Sequence, residues 1–232
     1  MEIQTRPEEA VGPHFNRDAM LDVRERTLQA IRGIAGRIHA GMVEEDAVEL
    51  ARDMLADAGM LRGWHEVYVR FGPNTLKTFG APSEPGVVLG EDDIFFIDIG
   101  PVWRQWEGDG GDSFVTGADP EKARCAADAR AIFHEVRRHW LRNGSSGQDL
   151  YRFAAACAQA RGWELNLDLS GHRLADFPHS ALHQGALADY AHAPSELLWV
   201  LEIHIRHPSQ PYGAFFEDML LDDGFFPQKA PI

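Results

Sequence analysis

The chain has 232 residues, 44% of them apolar, and carries 36 Asp plus Glu against 22 Lys plus Arg, a net charge of −14. That length fits one large domain or two small ones, and the negative charge repels phosphate backbones and anionic membrane surfaces, so no nucleic acid partner is expected. Cys125 and Cys157 lack CxxC spacing, no apolar run approaches the ~20 residues of a membrane span, and the acidic first residues hold no secretory h-region, so a soluble protein of the reducing cytoplasm is expected.

Residues 1–16 carry Pro7 and Pro13 and little periodicity. They read as an arm, disordered or packed on a partner subunit, ahead of one domain over 17–232. From 17 to 39, Met20, Leu21, Leu28, Ile31, Ile34, Ala35 and Ile38 fall near helical spacing, and a second helix is predicted over 44–58 before Gly59. A strand over 66–71 runs into Gly72-Pro73-Asn74, and 94–99 reads as a buried strand closed by Gly100-Pro101. A long helix over 120–142, a break at Asn143-Gly144 and a helix over 148–161 ending at Gly162 follow; strand-like segments then lie at 165–169, 197–205 and 214–221. Helix, glycine turn, helix, glycine stop thus occurs in both halves. An internal duplication is one reading; the other is two unrelated helical hairpins of the same kind.

Phe95-Phe96-Ile97-Asp98-Ile99-Gly100 places a carboxylate inside an apolar run, where an unpaired charge is costly, although a strand-end Asp is also an ordinary turn former. Eleven residues on, the glycine-rich segment 108–114 holds Asp109 and Asp112, and either one meets Asp98 if the segment returns as an antiparallel strand. His172 lies in Ser170-Gly171-His172, with His179 seven residues later. Glu202 interrupts the apolar run 197–203, and Glu217 follows Phe215-Phe216. An edge strand whose Glu faces water explains Glu202 or Glu217 singly, but it explains the whole series poorly. One nitrogen and four carboxylates make a hard donor set. It suits two divalent ions, with manganese the first expectation and iron, cobalt or zinc the others.

These residues resemble the pita-bread superfamily of methionine aminopeptidase, Xaa-Pro aminopeptidase, prolidase and creatinase, over roughly 17–226. The superfamily's metal ligands come in the order Asp, Asp, His, Glu, Glu, the first two eleven residues apart in an IDxG…GD context. Asp98, Asp109, His172, Glu202 and Glu217 reproduce that order, and the spacing selects Asp109 over Asp112. The resemblance implies an α+β fold of two pseudo-symmetric α-β-β halves around a curved antiparallel sheet. Asp98 would chelate one ion, Asp109 and Glu217 would bridge both, and His172 and Glu202 would bind the other. Glu202 would also shuttle a proton and His179 would contact substrate. The implied activity is that of a dinuclear hydrolase of the Xaa-Pro aminopeptidase or dipeptidase type, cleaving a short peptide or small amide through a metal-bridging hydroxide, with a homodimer as the usual assembly.

The departures from the pattern matter too. The superfamily's substrate-contacting His after the first strand and turn is missing, since Leu76-Lys77-Thr78-Phe79 stands there, and the loop after His172 reads Arg-Leu-Ala-Asp where relatives are glycine-rich. The larger relatives' N-terminal domain is also not in this sequence. Creatinase-type C–N hydrolysis, a lyase reaction and a non-catalytic binding role are therefore the alternatives. His65 is the expected stand-in for the missing His, with Trp64, Phe79, Trp103 and Trp106 as pocket walls. Arg206 or Arg173 is expected on a substrate carboxylate, against the reading of an ordinary solvated arginine.

Overall fold

The structure, a computed structural model, describes residues 6–175 and 183–226. Its elements run α1 (Arg17–Ala35), α2 (Glu44–Asp57), β1 (Arg62–Gly63), β2 (Tyr68–Phe71), β3 (Ile94–Ile99), β4 (Pro101–Trp103), β5 (Trp106–Glu107), β6 (Gly110–Val115), α3 (Pro120–Asn143), α4 (Gly147–Ala160), β7 (Glu164–Leu165), β8 (His172–Arg173), β9 (Trp199–Arg206) and β10 (Gly213–Met219). The helices begin where capping chemistry permits. Asn16 accepts from the Ala19 N–H at α1, Asp119 from the Glu121 and Lys122 N–H groups ahead of Pro120, and Ser146 from the Asp149 N–H at α4. Gly144, at φ 59°, ends α3 in the left-handed conformation that the Asn143-Gly144 break predicts.

The main sheet has the order β2-β3-β6-β10-β9-β7, with β8 added on β9, and every pairing is antiparallel. Reading inward from either edge, the first half contributes β2, β3 and β6 and the second β7, β9 and β10. Each set is preceded by its helix pair, and β6 meets β10 at the centre. This is the duplicated α+β pita-bread architecture, in which the repeat of helix, glycine turn and helix reflects real symmetry. A small sheet β1-β4-β5, which the sequence patterns did not reveal, sits beside the first half.

Side chains alternate across a strand, and each face of the sheet has its own job. The helices cover one face, where Leu201, Ile203 and Ala214 pack with Phe133, Val136 and Leu150, and Phe95 and Ile97 pack with Ile31 and Leu55. Charges on that face are paired. Arg24 of α1 grips Asp218 through two bonds of 2.6 and 2.5 Å, and Arg130 of α3 binds Asp112 at 2.6 Å. Asp112 therefore points away from Asp109.

Three expectations change. The first helix stops at Ala35, four residues early, because 36–42 turns to bond the segment around Leu89; Ile38 keeps its helical spacing only because that turn is also packed. The strand expected at 165–169 ends at Leu165, since Asn166 turns the chain by accepting from the Asp168 N–H. Residues 7–10 rest on their own chain. Arg173 donates to the Glu8 and Ala10 carbonyls at 3.0 Å each, and Trp199 Nε1 donates to Glu9 at 3.0 Å. This segment is thus fixed by contacts within the subunit.

His204, buried between Phe96 and Phe215, donates from Nε2 to the Thr75 carbonyl at 2.7 Å and lies 3.2 Å from the Asn166 amide through Nδ1. Burial pushes its pKa down to about 4. An unfolded His takes up its proton near 6.5, so this contribution to stability is complete above that pH and is lost as pH falls toward 4. The loss is on the order of 3 kcal/mol. Urea midpoints of the wild type should therefore drop between pH 6.5 and 4.5, with a shallower slope in His204→Gln.

Candidate metal centre

The register of the sheet brings the acidic residues together. Tyr68 pairs with Asp98, Asp98 with Gly111, Gly111 with Glu217 and Glu217 with Glu202, so one row crosses five strands and its side chains share the face opposite the helices. Asp109 lies two residues before Gly111 and His172 pairs with Val200, two before Glu202, which sends both toward the same spot. Gly111 keeps the row open: a Cβ there would come 2.5 Å from the Phe215 ring and 3.1 Å from Glu217 Oε1.

All four carboxylates are buried. His172 Nε2 stands 2.9 Å from Asp109 Oδ2 and 4.0 Å from Glu202 Oε1, and His65 Nε2 stands 3.4 Å from Asp109 Oδ1 and 3.6 Å from Asp98 Oδ1. Burial pushes Asp98 up to about 7, with His65 opposing and Asp109 and Glu202 adding to the rise; burial raises Glu202 as well, against His172. Glu217 goes well above the usual carboxylate range, through burial and then the charges of Asp109, Asp98 and Glu202. Asp109 is held low in spite of burial by hydrogen bonds from His172 and His65. Burial opposes protonation of both imidazoles, yet the facing carboxylates lift each to about 9.

The backbone around Glu202 is fixed by residues with no motif to announce them. Among the described residues, β7 pairs only with Ile205 and Arg206 and β8 only with Trp199 and Val200, which leaves Glu202 without a strand partner on the edge away from β10. Tyr151 of α4 fills the gap, its hydroxyl donating to the Glu202 carbonyl at 2.8 Å and accepting from the Glu202 N–H at 3.1 Å. Glu202 Oε2 accepts from the Gly171 N–H at 2.7 Å. In sequence, Tyr151 is simply one apolar-face residue of a helix.

A cavity of about 360 Å³ opens over the cluster, walled by Trp64, His65, Phe79, Leu169 and Ala186 above Asp98, Asp109, His172, Glu202 and Glu217. Of the expected aromatic walls, Trp64 and Phe79 are present. Trp103 instead donates to Thr27 of α1 at 3.1 Å, and Trp106 packs in the core. Arg206 does not line the cavity; its Nε bonds Glu164 Oε2 at 3.0 Å on the sheet edge. Arg173 spends its guanidinium on the carbonyls of Glu8, Ala10, Leu174 and Leu198. Neither serves as the expected carboxylate clamp, because each already has partners within the chain. Arg206→Ala should leave KM for an acidic peptide within about twofold, since an exposed pair contributes only ~0–1 kcal/mol. His179 lies outside the described residues.

The donor set suits divalent cations. Among the described residues, Glu217 Oε1 is buried with no hydrogen-bond partner, and the donor atoms fall into two groups, His65–Asp98–Asp109 and Asp109–His172–Glu217, each within 4.8 Å. Asp109 is common to both, as a bridging ligand must be. Carboxylates this deeply buried are retained when something positive neutralises them.

Residues 18–221 match the family model for metallopeptidase family M24. The chain belongs to that family. No curated protein sequence matches it. Among solved structures it is similar to the prolidase of Pyrococcus horikoshii OT3 (16% identity, TM-score 0.69, 88% of this chain and 59% of that one) and to the X-Pro aminopeptidase of Thermotoga maritima MSB8 (17%, 0.70, 89% and 62%). It also resembles the methionine aminopeptidase of Thermotoga maritima (14%, 0.65, 88% and 92%). The M24 chain thus spans about three fifths of the first two and nearly all of the third. At these identities the likeness establishes the fold.

Proposed function

We propose that this M24 protein is a dinuclear metal-dependent hydrolase of the Xaa-Pro aminopeptidase or dipeptidase type, acting on a short peptide or other small amide. The observation that carries the reading is the single row of Asp98, Glu217 and Glu202 with Asp109 and His172 around it, at the floor of a cavity large enough for a few residues of peptide. Asp98, Asp109, His172, Glu202 and Glu217 would hold two divalent ions, manganese being the first expectation with iron, cobalt or zinc as alternatives. Ions so held supply Lewis acidity and a water activated near neutral pH.

The chain's own residues supply the rest. Glu202, its Oε2 engaged by Gly171 and its backbone clamped by Tyr151, keeps Oε1 toward the cavity and can move a proton between water and a leaving nitrogen. Trp64 and Phe79 exclude water from one side of a bound amide. His179 is proposed to contact substrate, as the resemblance implies. A homodimer in the cytoplasm is the expected setting. A binding-only role leaves the gathering of four buried carboxylates without a purpose.

The test is a metal count on protein purified without chelator, with a peptide and small-amide screen in added manganese or cobalt. About two ions per chain and turnover of at least one short peptide are expected. A protein that takes up no metal at saturation refutes the reading, and turnover confined to non-peptide C–N substrates redirects it to the creatinase-like chemistry.

A further inference from the structure

We infer that His65 is itself a metal ligand, a second imidazole that holds an ion with Asp98 and Asp109 as His172 does with Asp109 and Glu217. The inference rests on the proposed metal centre and adds a ligand to it. Three observations carry it.

The first is distance. His65 Nε2 lies 3.4 Å from Asp109 Oδ1 and 3.6 Å from Asp98 Oδ1, longer than the 2.7–3.2 Å or so of a good N–H···O bond. Donor atoms around one first-row cation, each at about 2.1 Å, stand roughly 3.0–3.5 Å apart. The second is tautomer. His65 Nδ1 lies 2.6 Å from the Glu66 carbonyl, which can only accept, so Nδ1 carries a proton and Nε2 is the nitrogen left to face the carboxylates, where a cation would take the place of its proton. A ligating His is held this way, its other nitrogen donating to a backbone carbonyl. His172 repeats the arrangement, with Nδ1 3.3 Å from the Arg173 carbonyl.

The third is the room made for the ring. A Cβ on Gly100 would fall 2.2 Å from His65 Cδ2, 2.4 Å from its Nε2 and 2.5 Å from Trp64 Nε1, so the imidazole reaches Asp98 only because the residue two after it is glycine. The side chain is 5% exposed and packed between Trp64, Tyr68 and Phe79, an orientation fixed before any substrate arrives.

A substrate-contacting His would face the cavity with a donor free for the ligand. This one turns Nε2 onto two carboxylates, where a cation would replace its proton. Two nitrogen donors also change the chemistry, because imidazole suits zinc, iron(II) and cobalt better than manganese.

The experiment compares the wild type with His65→Ala by zinc and manganese titration, metal content after dialysis, and X-ray absorption of the zinc-loaded proteins. Two ions with two imidazoles between them are expected in the wild type. In His65→Ala one ion should remain firmly bound, with one imidazole, and the other should bind at least about 100-fold more weakly, beyond the 10–100-fold lost with outer-sphere partners alone. The loss should be greater for zinc than for manganese. If the wild type holds two ions with a single imidazole, or if His65→Ala holds both with unchanged affinity, His65 is not a ligand while the dinuclear centre stands. A wild type that binds no metal removes the centre and this inference together. The imidazole count on the wild type decides the matter even if the variant fails to fold.

Discussion

Glu217→Gln should abolish turnover while making the chelator-treated protein harder to unfold. Glu217 stands at the centre of the proposed ligand row, opposite both Gly111 and Glu202, with Oε1 buried and without a hydrogen-bond partner among the described residues. An amide keeps the shape but loses the charge that the proposed bridging role requires. Several kcal/mol of Lewis-acid assistance disappear with the ions, which corresponds to a rate loss of about 1000-fold or more. Stability moves the other way. Burial and three neighbouring carboxylates raise the Glu217 pKa well above its ordinary 4.5, so the folded protein holds a proton there that the unfolded chain has released. Stability tied to this group therefore falls as pH rises above about 4.5. Gln removes that penalty, and the melting temperature of Glu217→Gln in EDTA should exceed that of the wild type, by more at pH 8 than at pH 5. With saturating metal the order should reverse, because only the wild type gains binding energy. Calorimetry at the two pH values, with and without metal, checks all four melting points of each protein. A variant less stable than the wild type in EDTA at pH 8 would show that Glu217 contributes packing or hydrogen bonding that outweighs its charge.

This opposition between stability and site chemistry explains what the sequence could reveal. An acidic residue inside an apolar strand is legible because it violates the alternation rule, and Asp98, Glu202 and Glu217 each do so. Asp109 was ambiguous with Asp112 on residue type alone. Strand parity separates them in the fold: Asp109 falls in step with Gly111, while Asp112 faces the helices and pairs with Arg130. The long helices were legible from spacing and caps. The two-residue strands β1, β5 and β8 were not, because two residues carry no period, and β7 was read three to four residues too long. Tyr151 and Gly100 escaped notice for a different reason. Their roles arise from contacts across 51 residues to Glu202 and across 35 residues to His65, and a local pattern holds no trace of such pairings. Arg206 was misplaced as a substrate clamp because a sequence does not disclose that an edge strand brings Glu164 opposite it.

The strongest purely conformational prediction concerns Gly171→Ala. Gly171 has φ +71°, and a Cβ there would come 2.6 Å from the Val200 carbonyl, 2.8 Å from Leu187 Cβ and 2.8 Å from the Tyr151 hydroxyl. An L-residue in the left-handed region costs roughly 1–2 kcal/mol, and overpacking a closed site typically adds about 1–3. None of the three neighbours is a flexible chain end. Val200 is β9 backbone, Leu187 Cβ is tied to its own main chain, and the Tyr151 hydroxyl is held at both faces by Glu202. The expected loss is therefore roughly 2–5 kcal/mol, about 10 °C in melting temperature for a chain of this size. Function should fail further than stability does. Gly171 donates the N–H that fixes Glu202 Oε2, precedes the ligand His172 and accepts from Leu187 across the loop, so relieving the clash moves two ligands at once. At a temperature where Gly171→Ala is still fully folded, metal affinity should fall by at least about tenfold and kcat more than KM. A folded variant with wild-type metal affinity would mean that the loop absorbs the side chain by shifting Leu187 alone, and that Glu202 is held by Tyr151 without help from Gly171.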